Sequence, residues 1–172
     1  MLSAPTEAEL ELAGARLGES LLAAGWKLAT AESSTGGLIG HIITLVPGAS
    51  RYYVGGVISY SNLAKEVELG VPHELIEEHG AVSAEVAQAM ADGVRTRFGV
   101  ELGVAVTGIA GPEGATPGKP VGTHYLAVAL RGRPDRVEHR VLGHDREGNK
   151  SAAAMVAIEL AADEVRAASG KG

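Results

Sequence analysis

The sequence predicts an α/β fold, a three-layer α/β/α sandwich around a mixed β-sheet. Helical patterns alternate with short apolar segments along most of the chain, which favours parallel strands with helices on both faces. Two further strands, over 121–130 and 136–142, flank Gly132-Arg133-Pro134-Asp135, a segment typical of a hairpin turn. Because a hairpin adds an antiparallel pair, we expect parallel and antiparallel strands in one sheet.

The chain has 172 residues, enough for one domain with its own core, and residues 1–172 are expected to form that single domain. With 45% hydrophobic and 3% aromatic residues, the core must be built mainly from Leu, Val, Ile and Ala. The formal net charge of −6 argues against nonspecific binding of polyanions, because a phosphate backbone is usually met by a basic surface. A small anion in a local pocket is compatible with this charge.

No cysteine occurs in the sequence, which excludes disulfides, thiolate nucleophiles and cysteine metal sites and fits a reducing compartment. Residues 1–7 lack a cationic segment followed by an apolar core, and no apolar run approaches the length of a membrane span. These observations predict a cytoplasmic protein without a membrane or nucleic-acid partner.

The first elements are two helices and the strand between them. Thr6 and Glu9 have the spacing of a capping box, and apolar residues then recur at helical period until Gly25. A strand follows through Thr30. After a glycine turn, the next helix runs to about Val46, where a Pro-Gly pair ends it.

The remaining elements are predicted from the same signals. They are a strand over 55–60, short helices from Ser61 to Gly70 and after Pro72, a helix from Ser83 to Gly99, a strand over 101–106 and an alanine-rich helix over about 148–168. Residues 108–120 form the one long irregular stretch of the sequence. Since ligands gather at strand ends in open α/β sheets, a functional loop is expected there.

A run of hydroxyls and glycines, Ser33-Ser34-Thr35-Gly36-Gly37, is predicted to turn a strand into a helix. A helix start leaves backbone N–H groups unpaired and carries the positive end of the helix dipole, so it can hold a phosphate, a carboxylate or a developing oxyanion. The hydroxyls could instead serve only as helix caps. The glycines favour a site, because they let another molecule approach the backbone beside a nucleophile.

Lys65 is the candidate base for such a serine. It is predicted one turn into a helix that follows a strand, on the same face as Ser61. The alternative is a solvated surface lysine, the commonest state of this residue type. A lysine with a lowered pKa can deprotonate a serine without histidine, and no histidine here has an evident triad role. The sequence around these residues has neither the Gly-x-Ser-x-Gly nor the Ser-x-x-Lys spacing. A contact between Ser33 and Lys65 must therefore come from the fold.

A second glycine-rich segment, Thr107-Gly108-Ile109-Ala110-Gly111-Pro112, follows a predicted strand and is either a backbone cradle for a ligand or a structural turn. It matches neither the dinucleotide fingerprint nor the Walker A loop. The six histidines show no paired metal spacing, so no metal site is expected. His144-Asp145-Arg146 is either a surface loop or part of a site in which Arg146 clamps a phosphate.

Five motifs follow one another along the chain: Ala31-Glu32-Ser33-Ser34-Thr35-Gly36-Gly37, Val57-Ile58-Ser59-Tyr60-Ser61-Asn62 with Lys65, His79-Gly80-Ala81-Val82-Ser83, Val106-Thr107-Gly108-Ile109-Ala110-Gly111-Pro112 and Lys119-Pro120-Val121-Gly122-Thr123. In this order, over roughly residues 10–165, they resemble the CinA C-terminal domain family, the nicotinamide-nucleotide amidohydrolases. Any one motif would be a weak signal, but several together are specific.

The resemblance implies hydrolysis of nicotinamide mononucleotide to nicotinate mononucleotide and ammonia, a step of pyridine-nucleotide salvage. It implies Ser33 as the nucleophile, Lys65 as its base and Tyr60 as a neighbour that orients or relays a proton. No cofactor or metal is implied, and the expected partners are the nucleotide substrate and further copies of the chain in a homo-oligomer. The residues implied to bind the substrate are Thr35, Gly36, Gly37, Ser50, Thr107, Gly108 and, toward the phosphate, Arg146.

Two other functions stay open at this point. A nucleotide-binding module would hold a pyridine nucleotide or ADP-ribose without cleaving it, and release of ammonia discriminates between this module and the enzyme. A phosphatase that uses the same anion cradle is disfavoured, because the sequence offers neither a metal cluster nor a cysteine, and release of phosphate would reveal it.

Overall fold

The computed structural model describes residues 3–170 and contains a five-stranded mixed sheet in the order β2-β1-β3-β4-β5. The strands β1, β2 and β3 are parallel to one another, whereas β4 pairs antiparallel with β3 and with β5. The predicted mixed sheet is thereby confirmed. The strands span Leu28–Glu32 (β1), Tyr53–Ile58 (β2), Leu102–Gly108 (β3), Thr123–Leu130 (β4) and Arg136–Val141 (β5).

Helices cover both faces of this sheet, as the predicted three-layer architecture requires. One face carries α1, α2 and α6, and the other carries α5 with α3 and α4 packed against it. No helix in the described part of the chain is long and apolar enough to cross a membrane. The helices span Glu7–Ala24 (α1), Leu38–Leu45 (α2), Asn62–Leu69 (α3), His73–His79 (α4), Ala84–Phe98 (α5) and Arg146–Ser169 (α6), and a short 3-10 turn covers Ala49–Arg51.

The two faces of the sheet differ in side-chain size. Large apolar residues such as Leu28 and Leu126 point toward α1, α2 and α6, whereas their neighbours Ala29 and Ala127 point toward α5. Successive residues of a strand face opposite sides, so the alternation of large and small residues in the sequence creates this difference. The small side chains let α5 approach closely, and a Cβ at Gly103 would lie 2.1 Å from an α5 backbone oxygen.

Several element boundaries differ from the sequence-based expectation. The predicted strand over 55–60 begins at Tyr53 instead and ends at Ile58, because its partner β1 ends at Glu32 and offers no further pairing. The last helix begins at Arg146 rather than 148, because the Asp145 side chain accepts a hydrogen bond from the N–H of Gly148 at 2.9 Å and caps it. The predicted capping box of Thr6 and Glu9 is confirmed.

The topology brings four segments to one edge of the sheet. Because β1, β2 and β3 are parallel, the segments that follow them meet at the same edge. The segment after β3 is also the one before β4, and the segment after the antiparallel strand β5 reaches the same edge and leads into α6. The serine turn, the start of α3, the 108–120 loop and the N-terminus of α6 therefore surround one point.

Candidate active site

Ser33 lies directly after β1, in the turn that leads to α2. Its backbone N–H donates to the carbonyl of Val106 in β3 at 3.0 Å, which ties the start of the turn to the sheet. The side chain is 8% exposed and lines a cavity at the edge of the sheet. The serine hydroxyl is thus held on a rigid strand end and is still accessible from the cavity.

Lys65 reaches the same point from α3. Ser61 begins this helix, and its hydroxyl accepts the N–H of Ala64 at 3.1 Å. One turn later the Lys65 side chain points toward the sheet and is only 1% exposed, so it is not a surface lysine. Its Nζ lies 2.9 Å from Ser33 Oγ and donates to the carbonyl of Ser59 at 2.7 Å.

Burial lowers the pKa of Lys65 from 10.5 to about 8. The cause is the loss of solvation of the ammonium form. Within the described residues no carboxylate lies at ion-pair distance from Nζ to oppose this effect. At pH 7 roughly a tenth of the molecules therefore carry the neutral amine, whose lone pair can accept the proton of Ser33.

The cavity that Ser33 and Lys65 share has a volume of about 180 Å³. A second, wider groove of about 550 Å³ adjoins it, and Ala110 and Arg146 line both. The smaller cavity is lined by Ser33, Ser34, Tyr60, Asn62, Lys65, Ala81, Val82, Thr107, Gly108, Ala110 and Arg146.

The start of α2 differs from the expectation that it holds a ligand anion or an oxyanion. The three hydroxyl residues of the turn do not cap this helix, which begins after Gly37. The N–H groups at this helix start, which have no acceptor within the helix, donate instead to the buried carboxylate of Glu32. This carboxylate accepts hydrogen bonds from the N–H groups of Gly37 (3.0 Å), Ile39 (3.0 Å) and Gly40 (2.8 Å) and from the hydroxyl of Thr35 (2.7 Å). The protein's own anion takes the place predicted for a ligand.

We expect Glu32→Gln to lower the free energy of unfolding by about 2 kcal/mol, because the amide nitrogen would face backbone donors that lose their acceptor. The turn that carries Ser33 would shift with it. Urea denaturation measures the loss of stability. Glu11→Gln, on an exposed position of α1, is the matched control. An unchanged unfolding free energy for Glu32→Gln would show that the carboxylate does not stabilise the turn.

Several residues predicted to bind the substrate do not line the cavity. Thr35 donates its hydroxyl to Glu32 and is buried. Gly36 and Gly37 have positive φ angles of 64° and 101°, so the structure explains them as turn residues. Ser50 lies in the exposed 3-10 turn before β2, at the opposite edge of the sheet, and the length of β2 separates it from the cavity by roughly 20 Å.

The other predicted residues do lie at the cavity. Thr107 lines it and donates its hydroxyl to the Ala81 carbonyl at 2.8 Å, and Gly108 forms part of the wall. A Cβ at Gly108 would lie 2.2 Å from the ring of the buried His124, which explains the glycine.

Tyr60 and Arg146 form a bridge over the mouth of the cavity. Arg146 donates to the hydroxyl of Tyr60 at 3.1 Å and to the carbonyl of Gly111 at 2.6 Å. Tyr60 is 63% exposed, and its hydroxyl makes no hydrogen bond to Ser33 or Lys65 within the described residues. The structure therefore places Tyr60 at the rim, and the predicted proton relay has no direct contact here.

Besides the role of Glu32, the sequence does not reveal the roles of two further residues that organise the site. The Ser59 carbonyl orients Lys65, and no sequence signal marks a backbone oxygen for such a role. Asn149 is fully buried; its side chain donates to the Ala110 carbonyl at 3.0 Å and accepts the N–H of His144 at 3.1 Å. The sequence shows an asparagine near the start of an alanine-rich helix, but its burial depends on the packing of that helix.

With this geometry described, comparison with known proteins assigns the chain to a family. The model of the CinA C-terminal domain matches residues 11–165. The chain belongs to the CinA C-terminal domain family. The predicted resemblance is thereby confirmed, and the matched range includes every residue of the cavity.

Two curated relatives show how far the similarity extends. A CinA-like protein of Gemmatimonas aurantiaca is 50% identical over 141 residues, which cover 82% of this chain and 32% of that protein. A CinA-like protein of Salinibacter ruber is 49% identical over 145 residues, which cover 84% of this chain and 35% of that protein. The chain thus spans about a third of the length of these relatives.

Solved structures of CinA proteins have the same fold. A competence-damaged protein (CinA) superfamily protein from Klebsiella pneumoniae superposes with a TM-score of 0.88 at 31% identity, covering 92% of this chain and 98% of that chain. The competence/damage inducible protein CihA from Agrobacterium tumefaciens gives a TM-score of 0.86 at 35% identity, covering 93% and 96%. The three-layer fold of this chain is therefore that of the CinA superfamily.

Proposed function

We propose that this CinA domain is a nicotinamide-nucleotide amidohydrolase that converts nicotinamide mononucleotide to nicotinate mononucleotide and ammonia. The observation that carries the proposal is the 2.9 Å contact between Lys65 Nζ and Ser33 Oγ in a cavity. A serine next to a buried amine of lowered pKa is an activated nucleophile, and attack on a carboxamide is the chemistry that such a pair performs. The nucleotide as substrate follows from the resemblance to the family.

In the first half of the reaction, neutral Lys65 accepts the proton of the Ser33 hydroxyl while Oγ attacks the carboxamide carbon. The Ser59 carbonyl holds one N–H of the amine, so the lone pair is directed at Ser33. The tetrahedral intermediate collapses when Lys65 returns the proton to the amide nitrogen. The C–N bond breaks, ammonia leaves, and an ester joins Ser33 to the nicotinate group.

In the second half, Lys65 deprotonates a water molecule that attacks this ester. The nicotinate carboxylate leaves, and Ser33 regains its proton from Lys65. The N–H group of Ser34 has no acceptor in the described part of the chain and directly follows the nucleophile. It is the donor proposed to stabilise the oxyanion in both steps, since the donors at the start of α2 are occupied by Glu32.

The dimensions of the site support a substrate that extends out of the cavity. A volume of about 180 Å³ is below the usual range for drug-sized ligands, so the nicotinamide ring would occupy this cavity. The adjoining groove of about 550 Å³ leaves room for the ribose and the phosphate. Arg146 lies between the two spaces.

Product analysis tests the proposal. The purified chain is incubated with nicotinamide mononucleotide, and ammonia, nicotinate mononucleotide, free nicotinamide and inorganic phosphate are quantified. Equal amounts of ammonia and nicotinate mononucleotide are expected. Binding without any product would favour the nucleotide-binding module, and phosphate release would favour a phosphatase.

We expect the activity to survive exhaustive treatment with a metal chelator, because a serine nucleophile and a lysine base need no Lewis acid. Within the described residues, no group of three or more His, Cys, Asp or Glu side chains is arranged to hold a metal ion. Initial rates before and after chelation measure the effect. A loss of turnover that one added divalent metal restores would contradict this prediction.

A further inference from the structure

The segment that joins α4 to α5, residues 79–83, supplies one wall of the smaller cavity. Ala81 and Val82 line the cavity from this side. Residues 80–83 lie outside regular secondary structure, and within the described residues no backbone hydrogen bond joins the segment to the sheet. The place of this wall beside the strand ends therefore depends on side chains.

Three consecutive carbonyl groups of the segment each accept a hydrogen bond from a different side chain. They are the carbonyls of His79, Gly80 and Ala81, which accept from Lys119 Nζ (2.8 Å), Ser83 Oγ (2.9 Å) and Thr107 Oγ (2.8 Å). Ser83 belongs to the segment itself. Thr107, in β3, and Lys119 are thus the side chains from outside the segment that hold these carbonyls.

Lys119 lies near the end of the 108–120 loop and is half-buried between exposed neighbours. Two backbone hydrogen bonds between Thr116 and Lys119, at 2.9 and 3.0 Å, form the turn that presents it. Its Nζ lies 3.3 Å from the position that a Cβ on Gly80 would occupy, so the glycine leaves room for the ammonium. The bond to the His79 carbonyl is charge-assisted, which makes it stronger than a bond between neutral groups.

The same loop is held by α6 near its beginning. Asn149 donates to the Ala110 carbonyl at 3.0 Å, and Arg146 donates to the Gly111 carbonyl at 2.6 Å. The loop therefore connects the start of α6 to the segment before α5, and Lys119 makes the second of these attachments.

We propose that Lys119 is a positioning residue that holds residues 79–83 in place as a wall of the substrate cavity; this rests on the proposed function. Without its bond, the wall would be out of place in a fraction of the molecules. A ligand that binds only to the formed cavity then loses affinity in proportion to that fraction. The bound complex contains the formed wall, so the rate at saturation stays nearly the same.

Lys119→Met tests this role, because it removes the donor and keeps most of the apolar stem. We expect KM for nicotinamide mononucleotide to rise about tenfold and kcat to stay within about threefold of wild type. Lys119→Arg retains a charged donor and is expected to keep KM within about threefold of wild type. Lys27→Met, at an exposed lysine before β1, controls for the lost charge. Val165→Ala, in the core at the far end of α6, controls for lost stability.

Two measurements that need no turnover separate this inference from the proposed activity. In Lys119→Met, amide hydrogen exchange of residues 79–83 is expected to be faster than in wild type. Calorimetry with the product nicotinate mononucleotide is expected to show a Kd about tenfold higher. The same two results in a protein that releases no ammonia would sustain the role of Lys119 and end the amidohydrolase proposal.

Unchanged exchange of residues 79–83 in Lys119→Met would overturn the positioning role, whether or not ammonia is released. A fall in kcat with unchanged KM would also overturn it, because Lys119 would then act on the reaction and not on the formation of the cavity. An equal rise of KM in Val165→Ala would do the same, since lost stability would then explain the effect.

Discussion

Ser33→Ala is expected to lower kcat about a thousandfold or more and to leave KM for nicotinamide mononucleotide nearly unchanged. The substitution removes the attacking oxygen and little volume, and the N–H bond to Val106 that holds the turn involves only the backbone. Ammonia release under steady-state conditions measures the effect, and calorimetry measures binding.

Ser34→Ala is the matched control for this variant, because it removes the neighbouring hydroxyl of the same turn. Its kcat is expected to stay within a few fold of wild type, since Ser34 Oγ makes no hydrogen bond to Lys65 within the described residues. If Ser33→Ala kept near wild-type turnover while Ser34→Ala lost it, the nucleophile would be Ser34.

Substitution of Lys65 is expected to have the second largest effect. Lys65→Ala and Lys65→Arg should each lower kcat/KM by about a hundredfold or more, because neither side chain can accept the proton of Ser33 near neutral pH. Arginine keeps the positive charge, so the comparison separates proton transfer from electrostatic attraction. Rates are measured with nicotinamide mononucleotide, and urea denaturation shows whether the buried site still folds.

Lys27→Arg, at an exposed lysine outside the cavity, provides the control for this exchange. If Lys65→Arg kept most of the wild-type rate, the role of Lys65 would be to bind a negatively charged group of the substrate through its own positive charge. The base would then have to be sought elsewhere, with Tyr60 at the cavity rim as the next candidate.

The fold could be predicted largely from local sequence signals, and the structure contains the features that these signals predict. The capping box at Thr6, the glycine that ends α1 and the alternation of helix and strand all depend on residues close in sequence. The strand over 55–60 was misplaced because its end is decided by β1, which lies more than twenty residues earlier in the chain. Pairing across that distance leaves no local signal.

The sequence predicted only part of the geometry of the candidate site. Ser33 and Lys65 were singled out as candidate nucleophile and base by residue type and motif, but their contact depends on the packing of α3 against the end of the sheet. The role of Glu32 was missed because the turn folds back so that one carboxylate meets three backbone N–H groups. A helix start that looks free in sequence can be occupied by a residue preceding it by only a few positions.

The pH dependence of kcat/KM tests the pairing of Ser33 with a neutral Lys65 most directly. Burial lowers the pKa of Lys65 to about 8, and only the neutral amine accepts the proton of the serine. From about pH 6.5, kcat/KM is therefore predicted to rise with pH, close to tenfold per unit below about pH 7, to reach half its maximum near the pKa of about 8 and to level off above about pH 9. The second pKa of the substrate phosphate is about 6, so its titration lies below this pH range. A profile that stays flat across this range, or that falls as pH rises, would contradict Lys65 as the base.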